Sequence, residues 1–519
     1  MSSEAAASGL AKRPTLRAYL REFPQEAVAS GSVASWILLF AAIVCFAPPT
    51  GTWLDGEQHY LWLAKQWVGE AVPANSALLD GMPHAYIFLT VAGVLVKLFG
   101  DTLGQMVLHL LIAAAYTFAL IRVASVLRLR LIETLLVLCA FMALGQALFA
   151  GEWLFKGAEP KALAYPLVLL ATADVLQKRL VRAVILLALA THAHLLVGGL
   201  WTVILGVAAL VMYRSIRPIL VPLAIYAAAT LPLVIVLMMN GYSESGGSTS
   251  GPSPAWITTY VRMPHHATPW IDLYTLLTWM PGILALIGVT VISSRMQRWL
   301  QDQVAARLSI VVMVGGCFLL LMLLATGVDS SGTIGATTPF RPSSLVLLYF
   351  LMLGVLLLQA CPEPSRTRLV LSTAALVIAL IAPSVALEAA RPIRDEHRAR
   401  ADYEPLIAFA TRTPVDTTFL IWPDLEPSLY WFERTAQRRL LIVRKFIPAR
   451  GASVQEWYRR RSFQDRVFAG GCPLAADYRV DVLVVPPDQA TQFAGCSTPV
   501  VRDDDYVVLD LRAGGQGPG

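Results

Sequence analysis

The sequence predicts a polytopic α-helical membrane protein of about 11 transmembrane helices with a small α/β domain at its C-terminal end. Of its 519 residues, 56% are hydrophobic and 15% are charged, whereas ordinary soluble domains carry about 25% charged residues. The apolar residues form runs close to the roughly 20 residues that a helix needs to cross about 30 Å of hydrocarbon. The sequence shows no alternating ten-residue pattern of a membrane barrel, so helices are expected to span the membrane.

The helices are expected wherever such an apolar run occurs, and the chain has these in close succession. They occupy residues 33–48, 82–99, 105–121, 131–149, 161–177, 183–213, 218–240, 273–294, 308–327, 342–360 and 368–388. Short links rich in Lys and Arg separate many of them, and such links favour the cytoplasmic side. This explains the net charge of +6 without any need for a nucleic-acid partner.

Two of the runs need special treatment if every basic link is to be cytoplasmic. Residues 82–99 are expected to lie in the outer interface or to enter the membrane and return, because a crossing there would put the basic residues between 122 and 130 outside. Residues 183–213 are too long for one crossing, at about 46 Å of helix, and have basic residues at both ends. They are predicted to form a hairpin that turns at Thr191–His194.

These assignments define the domains. Residues 1–32 are predicted to be a cytoplasmic segment, residues 33–388 the transmembrane domain, and residues 389–519 an extracytoplasmic α/β domain. The outer loops would be residues 49–104, 150–160, 241–272 and 328–341.

The C-terminal domain is indicated by short β-rich stretches. They lie at 417–422, 439–446, 480–486 and 506–511. Cys472 and Cys496 are candidates for a disulfide there, because an oxidising compartment permits one. No CxxC or other metal-binding spacing occurs in the sequence, so no metal site is predicted.

The first two outer loops carry ionisable side chains beside apolar helices. Asp55 follows the first helix and precedes an interfacial helix, and its alternative role is that of a helix cap. The second loop contains Glu152, Glu159 and Lys161, among other charges. Charges so close to lipid are expensive unless they are paired or used in function, so ion pairing and catalysis both remain open.

The remaining outer loops supply candidates for anion contact. Arg262, His265 and His266 lie in YVRMPHHATPW, and adjacent histidines are a poor metal pair because paired ligands prefer i and i+4 spacing. Arg341 lies in TTPFRPSS, where a guanidinium suits a phosphate or extends to lipid headgroups. Because the chain has no nucleotide-binding glycine loop, the expected ligand is an amphiphile with a phosphate at headgroup level.

The layout resembles the GT-C glycosyltransferases, which use polyprenyl-phosphate-linked sugars on the outer face of a membrane. Asp55 in LDGEQHYLWLAKQW, the Pro-containing segment MPHAYIFLTVAGVLVKLFG, and the acids of the second loop carry this resemblance. Protein mannosyltransferases and the lipid A aminoarabinose transferase have comparable segments. The resemblance covers residues 33–215, and it differs in having Pro-His for Pro-Pro and Glu where several members have Asp.

The resemblance implies an inverting, metal-independent transferase of the bacterial inner membrane that needs no cofactor. Its partners would be a polyprenyl-phosphate-linked sugar donor, a glycan, lipid or protein acceptor, and membrane lipids. The alternatives are an O-antigen polymerase or ligase, a transporter, and a non-catalytic scaffold.

The same resemblance assigns roles to individual side chains. Asp55 is the expected base, with Glu159 and Glu152 as further catalytic carboxylates. The expected donor-phosphate contacts are Lys161, Arg262, His265, His266 and Arg341, and the expected acceptor or sugar contacts are Glu57, His59, His84, His192 and His194.

Overall fold

The computed structural model is mostly helical. It describes residues 33–51, 53, 56–70, 85–239, 251–296, 302–360, 398–448, 451–470, 472 and 478–512. The longer helices up to residue 360 are α1 Val33–Phe46, α2 Gly56–Trp67, α3 Tyr86–Leu127, α4 Leu131–Ala143, α5 Pro160–Leu176, α6 Leu180–Ala193, α7 Leu195–Tyr213, α8 Arg217–Met239, α9 Leu273–Met296, α10 Gln303–Val328 and α11 Ser343–Ala360.

The apolar helices support a membrane location. Within the described ranges, α3, α7, α8, α9 and α10 are long and apolar enough to cross a membrane. Shorter apolar helices lie at Ser35–Phe46, Leu131–Ala143, Leu180–Ala193 and Ser343–Gln359. The predicted number of about 11 crossings is therefore not confirmed, and the run at 368–388 lies outside the described residues.

A sharp reversal divides α3 into two arms. Gly100 has φ 77° and ψ 172°, a conformation that favours glycine and interrupts the helix. A Cβ on Gly104 would lie 2.7 Å from the Cα of Val96, whereas residues eight apart in a straight helix are separated by about 12 Å. The described residues 86–99 and the run at 105–121 are thus separate segments, as predicted, while the orientation of the first in the bilayer stays a prediction.

The predicted hairpin within residues 183–213 is present. His194 is extended, with φ −154° and ψ 104°, and it separates α6 from α7. A Cβ on Gly198 would collide with the backbone of Thr191, so the two helices pack closely beside the turn. The polar residues at the centre of an otherwise apolar run were a sufficient signal for this break.

The C-terminal region forms a five-stranded mixed sheet with the order β2-β1-β3-β5-β4. Its strands are β1 Thr418–Ile421, β2 Arg439–Leu440, β3 Val482–Val485, β4 Thr498–Arg502 and β5 Val507–Asp510. Parallel pairs join β1 to β2 and β3, and antiparallel pairs join β5 to β3 and β4. The longer helices of this domain are α12 Glu404–Arg412 and α13 Gly451–Gly470, and a short helix lies at Phe432–Ala436.

Four strands lie where the sequence predicts them, although β2 is much shorter than residues 439–446. Strand β4 was missed because four of its five residues are exposed, so it has no buried apolar face. The disulfide between Cys472 and Cys496 is present.

Residues Pro254–Ala267 lie between α8 and α9 in the chain and pack against the C-terminal domain. We call them the connecting segment. It contains the helix Pro254–Trp256, a π-helix at Ile257–Arg262 and the helix Pro264–Ala267. Ile257 is fully buried in the hydrophobic core of the C-terminal domain, and Val261 packs against that core. The segment between α8 and α9 is thus packed into a domain that begins more than a hundred residues later.

Candidate active site

Four charged side chains meet at the beginning of α5 and α11. We call Glu152, Glu159, Lys161 and Arg341 the ion cluster. Lys161 Nζ donates to Glu152 Oε1 at 2.8 Å, and Arg341 Nη1 lies 3.6 Å from the same oxygen. Lys161 Nζ also lies 4.0 Å from Glu159 Oε2. Glu152 therefore serves as the shared counter-ion of two cations.

The loop that carries Glu152 is held by one amide side chain. Gln146 Oε1 accepts hydrogen bonds from Leu154 N at 2.9 Å and from Phe155 N at 2.7 Å. Its Nε2 donates to the carbonyl of Phe155 at 3.0 Å. The sequence interpretation missed Gln146, which fixes the backbone beside the cluster although it carries no charge.

Arg341 is fixed by contacts on both its side chain and its backbone. Its Nε donates to Thr338 Oγ1 at 2.7 Å, and its carbonyl accepts from the hydroxyl of Tyr165 at 3.1 Å. The aromatic rings of Phe149, Trp279 and Phe340 pack together beside it, with ring centroids 5.1–5.5 Å apart. The guanidinium is thus held in a defined position.

The two carboxyl groups of the cluster have opposite electrostatic properties. Burial acts to raise the pKa of Glu152, but Lys161 and Arg341 outweigh it and hold this pKa at about 2. Burial raises the pKa of Glu159, and Glu152 and Glu57 add to the increase against the effect of Lys161. Glu152 is therefore a permanent anion, whereas Glu159 is suited to accept a proton. Such divergence within a pair of carboxyl groups is typical of acid–base sites.

Glu159 also reaches the first outer loop. Its side chain lies against Gly56, where a Cβ would collide with its carboxylate. Gly56 directly follows Asp55 in the sequence, and Asp55 itself lies outside the described residues. The absence of a side chain at residue 56 is what lets the two outer loops meet.

Glu57 organises the same junction from a buried position. Its Oε1 accepts from His109 Nε2 and from Ala158 N, both at 2.5 Å, and its Oε2 accepts from Gln105 Nε2 at 3.1 Å. Glu57 is 1% exposed, so its position is that of a group that holds other groups rather than a ligand contact. Gln105 and His109 were missed, although polar residues at i and i+4 in an apolar run were an available signal.

Tyr60 occupies the space between the ion cluster and the connecting segment. Burial and the charge of Glu159 raise its pKa to about 12, while Arg341 and Arg262 act in the opposite direction. Its hydroxyl therefore stays protonated and lies within electrostatic range of both arginines. The sequence interpretation did not include Tyr60 among the site residues.

The connecting segment brings Arg262 and two histidines to the site. Burial lowers the pKa of His266 to about 3, and its Nδ1 donates to the carbonyl of Ala150 as a neutral ring. His265 is exposed, and its ring centroid lies 4.2 Å from that of His266. Arg262 Nε is buried and has no hydrogen-bond partner in the described part of the chain.

Comparisons with known proteins give likenesses among solved structures. No protein-family model matches the chain, and no curated protein matches it either. The chain is similar to the apo crystal structure of ArnT from Cupriavidus metallidurans, with 14% identity over 94% of this chain and 100% of that one. The TM-score is 0.39, which is too low for the likeness to support an argument about function.

Several predicted site residues do not join the ion cluster. His192 contacts the Tyr86 hydroxyl at 2.7 Å and the carbonyl of Ala229 at 3.0 Å, so it binds helices together. The ring of His194 caps α7 by accepting from Val197 N at 3.3 Å. We therefore leave both histidines out of the proposed site.

The two other predicted sugar contacts have different outcomes. The ring of His59 stacks on Phe446 of the C-terminal domain, with centroids 5.0 Å apart. His84 lies outside the described residues. Among the residues that the structure describes, no group of three His, Cys, Asp or Glu side chains is arranged to hold a metal ion.

Proposed function

We propose that this chain is a membrane glycosyltransferase of the GT-C type, which transfers a sugar from a polyprenyl-phosphate donor to an acceptor hydroxyl on the outer face of the membrane. The observation that carries the proposal is the ion cluster, in which two buried cations share one permanent anion. This arrangement places two cations beside Glu159, a carboxyl group whose pKa is raised by burial.

The charge balance of the cluster suits a phosphate. Glu152 lies 2.8 Å from Lys161 and is shared with Arg341, whereas Glu159 lies farther from Lys161, at 4.0 Å. A donor phosphate gains charge as the sugar departs, and fixed cations stabilise that charge more in the transition state than in the ground state. Arg262 adds a third cation nearby, through the shared neighbour Tyr60.

The reaction would be a direct displacement. The acceptor oxygen forms a bond to the anomeric carbon while the bond from that carbon to the phosphate oxygen breaks. The electron pair leaves with polyprenyl phosphate, and the acceptor proton passes to a carboxylate. The scheme requires no metal ion.

Asp55 is the proposed base, and Glu159 is the proposed orienting group. The support for this division is that Glu159 lies against Gly56, the neighbour of Asp55, so the two acids come from loops that meet. General-base assistance contributes about 10²- to 10⁴-fold to the rate. The disulfide is consistent with a C-terminal domain on the oxidising, outer side of a bacterial inner membrane.

The test is the release of polyprenyl phosphate from a native bacterial lipid extract by the purified full-length protein in nanodiscs. We expect time-dependent release by the wild type and at least about a 100-fold slower rate for Asp55→Asn, because the amide cannot accept the proton. Lys156→Gln, at an exposed position of the second outer loop, is the matched control. No release by folded wild-type protein would refute the function, and full activity of Asp55→Asn would refute only the base assignment.

A further inference from the structure

The segment that carries Arg262 is packed into the C-terminal domain. Ile257, at the start of the π-helix, is fully buried in the core of that domain. Trp256 and Val261 pack against the same core from either side of it. The backbone on which Arg262 stands is therefore positioned by residues beyond 398 as much as by the membrane helices.

A polar contact lies directly beside Arg262. Arg461, on α13, donates from Nη1 to the carbonyl of Val261 at 3.0 Å. The guanidinium of Arg461 also lies 5.7 Å from the ring centroid of Trp457, which is fully buried in the domain. Arg461 is thus anchored to the domain at one end and bonded to the residue before Arg262 at the other.

The local structure makes this bond important. A π-helix is rare and is frequently found at functional sites. On its other side, Thr259 Oγ1 donates to the carbonyl of Gly332 at 2.7 Å, and the Tyr260 hydroxyl donates to that of Asp329 at 2.7 Å. The π-helix is therefore held between the segment before α11 and the C-terminal domain.

A second face of the domain reaches the same space. Tyr430 is an electrostatic neighbour of Arg262, as is Tyr60 from α2. Lys445 Nζ lies 5.2 Å from the ring centroid of Tyr430, and the neighbouring Phe446 stacks on His59. The C-terminal domain thus meets the candidate site at two separate places, on both sides of Arg262.

We infer that the C-terminal domain completes the donor-phosphate site and that Arg461 is the positioning residue that holds Arg262 toward the phosphate. This inference rests on the proposed function, in which Arg262 contacts the donor. It assigns the domain a direct part in donor binding, in addition to any part in recognising the acceptor. Arg461 acts through the backbone of Val261 and does not itself touch the donor.

The experiment measures equilibrium binding of radiolabelled undecaprenyl phosphate to the full-length protein in nanodiscs. It compares the wild type with Arg461→Gln, Arg262→Gln and the double variant. Arg459→Gln is the matched control, because Arg459 lies on the same helix and is exposed, with only a 3.6 Å contact to Glu456. Thermal unfolding of each variant separates a loss of binding from a loss of folding.

We expect Arg461→Gln to weaken binding about five- to tenfold, the size of one lost hydrogen bond that fixes a ligand group. Arg459→Gln should bind like the wild type. In the Arg262→Gln background, Arg461→Gln should have no further effect, because a positioning residue acts only through the group that it positions. Arg461→Lys, which retains a cationic donor, should recover part of the affinity.

The outcomes separate the two levels of the proposal. A folded wild-type protein that does not bind undecaprenyl phosphate contradicts the proposed function itself. If the wild type binds and Arg461→Gln binds equally well, or if the two variants weaken binding additively, the inference about Arg461 is wrong while the proposed function stands. Should Arg461→Gln fail to fold, binding by Arg461→Lys decides, since full loss with an intact fold would also contradict the inference.

Discussion

Arg341 and Arg262 are both buried cations at the same candidate site, but their environments differ in one respect. Burial acts to lower the pKa of Arg341, yet Glu152 and neighbouring groups outweigh it and raise this pKa above its usual value. Burial lowers the pKa of Arg262, and no described carboxylate lies within ion-pair distance to offset it. A charge without a counter-ion retains its desolvation cost until a ligand anion arrives.

Some charges of the site are thus compensated within the protein, while another is available to a ligand. Arg341, Lys161 and Glu152 compensate one another, so each of them is needed to hold the others in place. Arg262 contributes little to holding the fold through charge, and its buried Nε is available for a hydrogen bond. The ion cluster therefore acts as a scaffold in addition to facing the proposed donor phosphate, and Arg262 on the connecting segment is the cation that gains most from binding an anion.

The largest effect should come from removing the shared anion. Glu152→Gln leaves Lys161 and Arg341 buried beside a neutral amide, and breaking a buried ion pair in this way costs about 3–5 kcal/mol. We expect a lower thermal midpoint in nanodiscs and loss of activity. Lys156→Gln in the same loop is the control, and a Glu152→Gln protein as stable as the wild type would show that the cluster is not a scaffold.

The comparison itself is tested by truncating each arginine. Arg262→Ala should leave the thermal midpoint unchanged or slightly higher while weakening polyprenyl-phosphate binding about 10- to 100-fold, the range for a lost hydrogen bond to a charged group. Arg341→Ala should lower both stability and binding, because Glu152 loses one of its cations. If the two variants lose equal stability, the distinction between scaffold and ligand cation fails.

A smaller loss of stability is expected from changing Glu57, the buried carboxylate that connects the first outer loop to the second. Glu57→Gln removes the charge that accepts from His109 and replaces one acceptor oxygen with a donor facing Gln105, at a cost of about 1–3 kcal/mol. Donor binding should fall only as far as stability does. Glu70→Gln, a surface change beside Lys65, serves as the control, and selective loss of binding in Glu57→Gln would instead point to a ligand contact.

The two regions should also differ in the sign of their pH dependence. Glu152 has a lowered pKa, so its contribution to stability is present above about pH 4.5 and is lost as the pH falls toward about 2. Burial raises the pKa of Glu426, in the C-terminal domain, to about 7. Hydrogen bonds to this carboxyl group, including one from the backbone of Arg444, act in the opposite direction. Its contribution is present below about pH 4.5 and is lost as the pH rises through about 7, by about 1.4 kcal/mol per pH unit.

The measurement is unfolding of the C-terminal domain followed by the fluorescence of its buried tryptophans, Trp431 and Trp457. We expect the thermal unfolding midpoint of the wild type to decrease as the pH is raised from 5 to 7. The decrease should be smaller in Glu426→Gln. An unchanged slope in that variant would mean that Glu426 is ionised in the folded domain throughout this range.

Some features of the protein were predictable from the sequence because they depend on local patterns. Apolar runs predicted the helices, and the polar residues near His194 predicted the hairpin turn. Short β-rich stretches predicted β1, β3 and β5, and two cysteines predicted a disulfide that the structure contains. The candidate acids and bases were also evident, because charges close to apolar helices need an explanation.

Other features could be decided only by the tertiary structure, because they depend on residues that are far apart in the chain. Nothing local indicates that Glu57 accepts from Ala158 N, 101 residues away, or that the Tyr165 hydroxyl donates to the Arg341 carbonyl, 176 residues away. The sequence supplied Lys161, Arg262 and Arg341 as equivalent cations. In the folded protein Glu152 pairs with Lys161 and Arg341, whereas Arg262 lies on a segment held by the C-terminal domain. The spacing of these residues in the sequence does not indicate which of the cations has a counter-ion.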